Sequence, residues 1–320
     1  MLKTFFVTAL KLLVVGALLT WLFQSGKLDF SLLAQLKDHP LSVFCAVVLT
    51  ITNFWLISFR WRFILKSRSA AFFPLSGLMK ITWIGTFFSS ILPGSVSGDL
   101  VKILYIQKYD ENLSKKYVFA TILIDRIMGL AALILMVGTT SLLFSRHILT
   151  EAPAMEPLLR MNYILSACVI CGGLLFSFCH HWFRAFLVKC ESTFLPAVWS
   201  KVIGLWDDLV MIRPQMLKAL AISFVVQVLA VMMFWSLIQP FVSGHMDFIQ
   251  AMTFIPIGNV TLALPVAPSG LGVGHAIFQK LFEFSGINNG ASLFNLYFVV
   301  TLCVNVLGFI PYILTKTKEK

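Results

Sequence analysis

Six stretches of this sequence, at 12–23, 41–59, 117–144, 163–178, 217–238 and 291–314, are apolar almost without interruption. A helix of that composition has no face to offer to water, whereas a hydrocarbon core about 30 Å thick accepts roughly 20 such residues as one span. None of the stretches alternates polar with apolar residues, which excludes a membrane β-barrel. Composition agrees: charged residues make up 12%, about half the share found in soluble domains. The expected fold class is an all-α polytopic membrane protein with about six full transmembrane helices. The first stretch follows Lys3 and Lys11 as a secretory leader would, but TWLFQSGK lacks a small-x-small cleavage pattern, so a retained helix is expected. Cys45, Cys168, Cys171, Cys179, Cys190 and Cys303 fall mostly within or beside the spans. They read as packing residues; no metal and no cofactor is expected.

Against this background the segment ILPGSVSGDLVK, residues 91–102, is anomalous. Basic residues place it. Arg60, Arg62, Lys66, Arg68 and Lys80 precede it, and Lys102, Lys108, Lys115 and Lys116 follow. Basic loops stay in the cytoplasm, so both flanks belong on one side and the chain between them must enter the membrane and turn back. Residues 78–92 as a helix rise about 22 Å, too short to cross. Pro93 and Gly94 then break the helix, and 98–107 can return as a second half-helix. This threading puts both termini in the cytoplasm. Of the 25 Lys and Arg, it leaves only Lys27, Lys37, Arg146 and Arg160 outside, with Arg126 and Lys280 at membrane depth.

The segment has a second copy. ILPGSVSGDLVKILYIQK (91–108) aligns with ALPVAPSGLGVGHAIFQK (263–280) at a constant offset of 172 residues. Leu92/Leu264, Pro93/Pro265, Ser97/Ser269, Gly98/Gly270, Val101/Val273, Gln107/Gln279 and Lys108/Lys280 are identical. The same offset carries the spans at 41–59 and 117–144 close to those at 217–238 and 291–314. One integral membrane domain over 1–320 is expected: an N-terminal helix and outer loop (1–40), repeat 1 (41–144, re-entrant hairpin 78–108), a linker (145–216) and repeat 2 (217–320, re-entrant hairpin 249–285). In the linker, a helix at 161–179 and an interfacial helix at 196–213 are expected. The second hairpin is entered from the opposite face, so the two broken tips meet near mid-membrane. Irregular backbone is tolerated there only when buried or lining a hydrated cavity, and inverted repeats with broken helices are transporter architecture.

The tips suggest an anion site. Ser97 and Ser269 are natural N-caps, and a half-helix N-terminus offers N–H donors and partial positive charge. Gly94, Gly98, Gly270 and Gly272 permit close backbone approach, Ser95 is a further candidate of the first tip, and Lys102, Arg126 and Lys280 supply cations. A phospholipid headgroup fits such a site; tight turns alone would also account for the Ser and Gly. Asp99 is either ordinary first-turn dipole chemistry, a partner for Arg126, a receptor for a cationic headgroup, or a proton carrier. Asp125 and Arg126, adjacent on a helix, point apart and seek different partners. His275 is a titratable candidate or a packed polar residue.

Three features, LPGSVSGDLVK with its basic flank, DRIMGL (125–130) and PSGLGVGHAIF (268–278), resemble the membrane, flippase-like domain of the lysylphosphatidylglycerol synthase family. The resemblance spans nearly the whole chain. It implies a bacterial cell-membrane protein moving a polar-headgroup lipid between leaflets, with Gly94, Ser97, Gly98, Asp99, Arg126, Ser269, Gly270 and Gly272 at the matching positions. Two departures stand out. The sequence ends at Lys320 without the soluble aminoacyl-transferase domain of the bifunctional members, which points to a standalone member. Leu271 also stands where Asp99 stands in the first copy. No G-x-x-x-x-G-K-[ST] is present, so drive from an ion gradient, membrane potential or mass action is expected. With no H-E-x-x-H or G-x-S-x-G either, no catalytic residue is assigned. A lipid-headgroup transferase, or an accessory subunit for a lipid-synthesising enzyme, remain the alternatives. Expected partners are a membrane phospholipid or glycolipid and no nucleic acid, the +11 charge being accounted for by topology.

Overall fold

A computed structural model describes residues 31–68, 73–91, 97–107, 109–110, 112–193, 196–242, 246–263 and 272–316, together with Thr20 and Gln24. Among these the regular structure is helical throughout: α1 (Ser31–Gln35), α2 (Pro40–Leu65), α3 (Leu75–Ile91), α4 (Ser97–Ile106), α5 (Lys115–Glu151), α6 (Glu156–Thr193), α7 (Pro196–Ile238), α8 (Phe248–Leu262), α9 (Val273–Glu283), α10 (Gly290–Val306) and α11 (Phe309–Lys316). Five segments are long and apolar enough to cross a membrane: Pro40–Leu65, Lys115–Glu151, Pro153–Glu191, Val198–Phe241 and Gly290–Leu314. They contain five of the six expected spans. The sixth, at 12–23, lies outside the described residues apart from Thr20.

Helix α2 runs against α5 and α7. Near its end, Arg60 and Trp61 meet Asp125, Thr121 and Ser223, and the Tyr117 hydroxyl donates to the carbonyls of Ile64 and Leu65. Ala46, near the start of α2, instead joins Val137 and Ile148 of α5 and Val231 and Leu237 of α7 in one apolar cluster. A second cluster closes the other end of the bundle around Trp61, Ile64, Leu65, Leu78, Ile106 and Tyr117. Burying a large side chain in either cluster stabilises the bundle by about 1.5–3 kcal/mol against water. In a bilayer the gain is smaller, because the alternative to protein is lipid.

Between the long helices sit two helix–break–helix pairs. In the first, α3 is 17 residues and α4 is 10, about 26 and 15 Å, each short of a bilayer core. Their contacts run in opposite order. A Cβ at Gly98 would collide with the Gly85 carbonyl and Ser89 Oγ, one at Gly85 would stand 3.1 Å from Lys102 Cε, and one at Gly77 would meet the Tyr109 hydroxyl. The pair is therefore an antiparallel hairpin, and Gly98 is glycine because two backbones touch there. Its first helix starts in the cluster around Tyr117, since Leu78 is part of it. The second pair, α8 and α9, starts at the other end: Trp235 Nε1 donates to the Met246 carbonyl (3.2 Å) and the Trp235 ring meets Phe248. The element order α2–α3–α4–α5 recurs as α7–α8–α9–α10/α11.

Three details differ from expectation. The linker helices are not separate: 161–179 is part of the 38-residue α6, and the interfacial helix at 196–213 continues through Pro214 into the following span as the 43-residue α7. Pro214 removes one backbone donor, but both flanks are anchored, Asp208 by Arg68 (2.8 Å) and Ser223 by Arg60 (2.6 Å), so the helix carries the defect. Arg60 is no loop residue; it lies inside α2 with its side chain 6% exposed. The span at 291–314 is broken at Leu307–Gly308, where Gly308 packs on the Trp83 carbonyl and Pro311 follows.

Candidate functional site

Five charged side chains of α2, α4 and α5 sort into a buried pair and a cluster of three. Asp125 and Arg126 leave α5 in different directions, as their adjacency requires. Asp125 turns inward: its Oδ1 accepts from Arg60 Nε at 2.7 Å, and Arg60 Nη1 donates to Ser223 Oγ at 2.6 Å. This link ties α2, α5 and α7 together in the interior. Arg126 turns toward α4. Its Nε donates to Asp99 Oδ2 at 2.6 Å, and Lys102 Nζ stands 3.9 Å from the other carboxylate oxygen.

Exposure separates their roles. The Asp99 side chain is 11% exposed and that of Arg126 48%. Around them Leu100 and Leu104 of α4 and Ile127 and Leu130 of α5 are all exposed apolar residues. Arg126 thus emerges among exposed apolar side chains of α4 and α5. A charge there is costly unless paired, and Asp99 supplies the pairing. Lys102 lies back along Gly85 and over the Trp61 ring at 5.8 Å, and Trp61 is fixed by donating to Thr121 at 3.1 Å. The cluster therefore gathers two cations, Arg126 and Lys102, around the one Asp99 carboxylate.

Ser97 opens α4 as its first helical residue and donates from Oγ to the Phe88 carbonyl (3.3 Å), a bond back to α3. Gly94 and Ser95 lie outside the described residues, as do Ser269 and Gly270 of the second tip. There the described part begins at Gly272, the residue capping α9, with φ +76°, a conformation open to glycine. Its N–H donates to His275 Nδ1 (3.3 Å), which fixes the other ring nitrogen as the donor to Asn295 Oδ1 (3.2 Å). His275 is buried between Phe294 and Phe298 and serves α9–α10 packing. Lys280 is exposed in the last turn of α9, at the opposite end of that helix from Gly272, 3.6 Å from Glu283 and over Phe284.

The two repeats differ in chemistry at matched positions. At the 172-residue offset, Arg60, Asp99, Lys102, Asp125 and Arg126 correspond to Met232, Leu271, Gly274, Tyr297 and Phe298. Around Tyr297 and Phe298 the side chains are stacked rings, among them Phe278 on Phe294 (4.9 Å) and Phe234 on Tyr297 (4.3 Å). The sequence flagged Asp99, Lys102 and Arg126 but not Arg60, Trp61 or Ser223. Arg60 was hidden by its place beside Arg62, Lys66 and Arg68, where it counts as one more topogenic charge.

Long apolar helices, two short helix pairs and charges held between them define a multi-pass α-helical membrane protein. Residues 8–314 match the family model described as lysylphosphatidylglycerol synthase TM region, and the chain belongs to that family. Comparison with curated proteins and with solved structures gives no match.

Proposed function

We propose that this protein moves a polar-headgroup lipid, a phospholipid or glycolipid, between the leaflets of a bacterial inner membrane without ATP. On this reading α3–α4 and α8–α9 are re-entrant hairpins of an inverted repeat, and both termini are cytoplasmic. The observation that carries the reading is Arg126: a half-exposed guanidinium on an apolar, lipid-facing surface, tethered to the first-turn carboxylate of a half-helix.

A lipid phosphate approaching laterally meets Arg126 before any other charge of the cluster. It displaces Asp99 as the guanidinium's partner, Lys102 holds the released carboxylate, and the acyl chains stay against Leu100, Leu104, Ile127 and Leu130. Exchange of one anion for another at a fixed cation costs little net charge separation, which is what a headgroup needs to pass through a low-dielectric region. The test is lipid movement in proteoliposomes. Asp99→Asn and Arg126→Ala, both still membrane-inserted and monodisperse, are expected to lose at least tenfold of the wild-type rate. Wild-type movement by both variants would overturn the proposal.

A further inference from the structure

Helices α6 and α7 form an antiparallel arm, Arg184 pairing with Asp207 near the turn and Ser177 with Arg213 farther away. It stands at the basic end of the bundle, where Asp208 of α7 meets Arg68. A cleft of about 480 Å³ opens in this arm, lined by His180, His181, Arg184, Ala185, Asp207 and Val210. No residue of the Asp99–Arg126 site contributes to it.

The charges lining the cleft balance, but one behind it does not. Arg184 donates to both oxygens of Asp207, at 2.7 and 3.1 Å, and that pair is neutral. Asp208 is engaged by Arg68 at 2.8 Å. Behind the buried His180 stands Arg213, whose Nη1 donates to the Ser177 carbonyl (2.8 Å) and to His180 Nδ1 (2.9 Å). Both acceptors are neutral, and among the described residues no carboxylate lies within ion-pair distance of Arg213. Its charge is uncancelled, and the exposed His181 ring lies 3.7 Å from that of His180.

The surroundings are those of a membrane interface. Trp206 packs on Phe183 at 4.4 Å and on Phe176 at 5.2 Å. Trp182 is 81% exposed, and Leu175, Phe178 and Phe186 continue an exposed apolar strip along α6. Aromatic side chains at this level mark the headgroup region, with the apolar strip alongside the acyl chains. A concave site of this size, with Arg184 and two imidazoles on its wall, the Arg213 charge one layer behind it and an apolar flank, suits one phosphodiester headgroup, with the tails left outside.

The geometry points to a resident anionic phospholipid on the α6–α7 arm, its phosphate held by Arg184 and His181 with the Arg213 charge behind, and its acyl chains along α6. This lipid is distinct from the one transported, and the inference stands whether or not the protein moves lipid. Its role is to hold the arm, whose helices reach about 57 and 65 Å at 1.5 Å per residue, in register with the membrane surface.

Native mass spectrometry of the purified full chain, titrated with phosphatidylglycerol or phosphatidylcholine, tests this. The wild type is expected to retain one phosphatidylglycerol about tenfold more tightly than phosphatidylcholine. Arg184→Gln, Arg213→Gln and the exposed-site variant His181→Gln each lower that preference severalfold, Asp207→Asn raises it, and the exposed Lys218→Gln leaves it unchanged. The opposite signs for Arg184 and Asp207 separate a binding role from loss of their mutual pair. If Arg213→Gln fails to fold, His181→Gln carries the test. Equal retention of the two lipids by the wild type, equal effects of Arg184→Gln and Asp207→Asn, or full displacement by millimolar inorganic phosphate would each overturn it.

Discussion

Removing Asp125 and removing Arg126 delete neighbouring charges from one helix, yet the structure assigns the two losses different consequences. Arg60 is 6% and Asp125 11% exposed, 2.7 Å apart, with Ser223 as the third member. Asp125→Ala leaves the Arg60 guanidinium in the interior with only a hydroxyl partner. Deleting one half of a buried pair costs about 3–5 kcal/mol, while replacing both halves with apolar side chains of similar volume is near neutral. At about 2 °C per kcal/mol for a chain of this size, the single variants Arg60→Ala and Asp125→Ala should each melt about 6–10 °C below wild type. The double variant Arg60→Met/Asp125→Leu should recover most of that. Arg126→Ala removes a guanidinium that is 48% exposed; discounted for that exposure its stability cost is at most about 1 kcal/mol, or roughly 2 °C. Thermal unfolding in detergent, followed by intrinsic fluorescence, measures all four. If Asp125→Ala and Arg126→Ala shift the midpoint equally, or if the double variant melts as low as the singles, the division into a structural pin and a surface site is wrong.

Two further outcomes follow from packing. Gly98→Val should disrupt α3 against α4, because even a Cβ collides with the Gly85 carbonyl; overpacking of this kind costs about 1–3 kcal/mol, read as a lower midpoint, and Gly204→Ala, which meets nothing within 4 Å, should show none of it. Asn305→Ala removes the 3.0 Å bond from α10 to Ser90 at the end of α3; it should lower stability by about 1 kcal/mol, and hydrogen exchange should show α3 less protected near Ser90 and α4 unchanged.

The spans were legible in the sequence because nothing but apolar composition over about 20 residues is needed to specify them. The short helix pairs were legible for a related reason: Pro93 and Gly94 interrupt a run too short to cross, and the offset of 172 residues shows the same device twice. Partner choice was less so. That Asp125 and Arg126 diverge follows from helical geometry, but that Asp125 finds Arg60, 65 residues away, depends on α2 extending past the last uninterrupted apolar stretch to Leu65. The continuity of α7 was hidden for a similar reason. Pro214 and the amphipathic stripe before it suggest an elbow, whereas the helix runs on through Pro214 with tertiary anchors at Asp208 and Ser223 on either side. The cleft at His180 and His181 was invisible because its charges come from two helices whose antiparallel register no local pattern records.

Everything proposed for Asp99 and Arg126 requires that α3 and α4 enter the bilayer and leave it by the same face. Single cysteines at Lys66 and Asn112, both exposed and on either side of that pair, placed in a background without the native thiols, report this with a membrane-impermeant maleimide. Both should react only from the cytoplasmic side, and a cysteine at the exposed Thr150 only from the other. Labelling of the Lys66 and Asn112 positions from opposite faces would contradict the hairpin, and with it the lipid path.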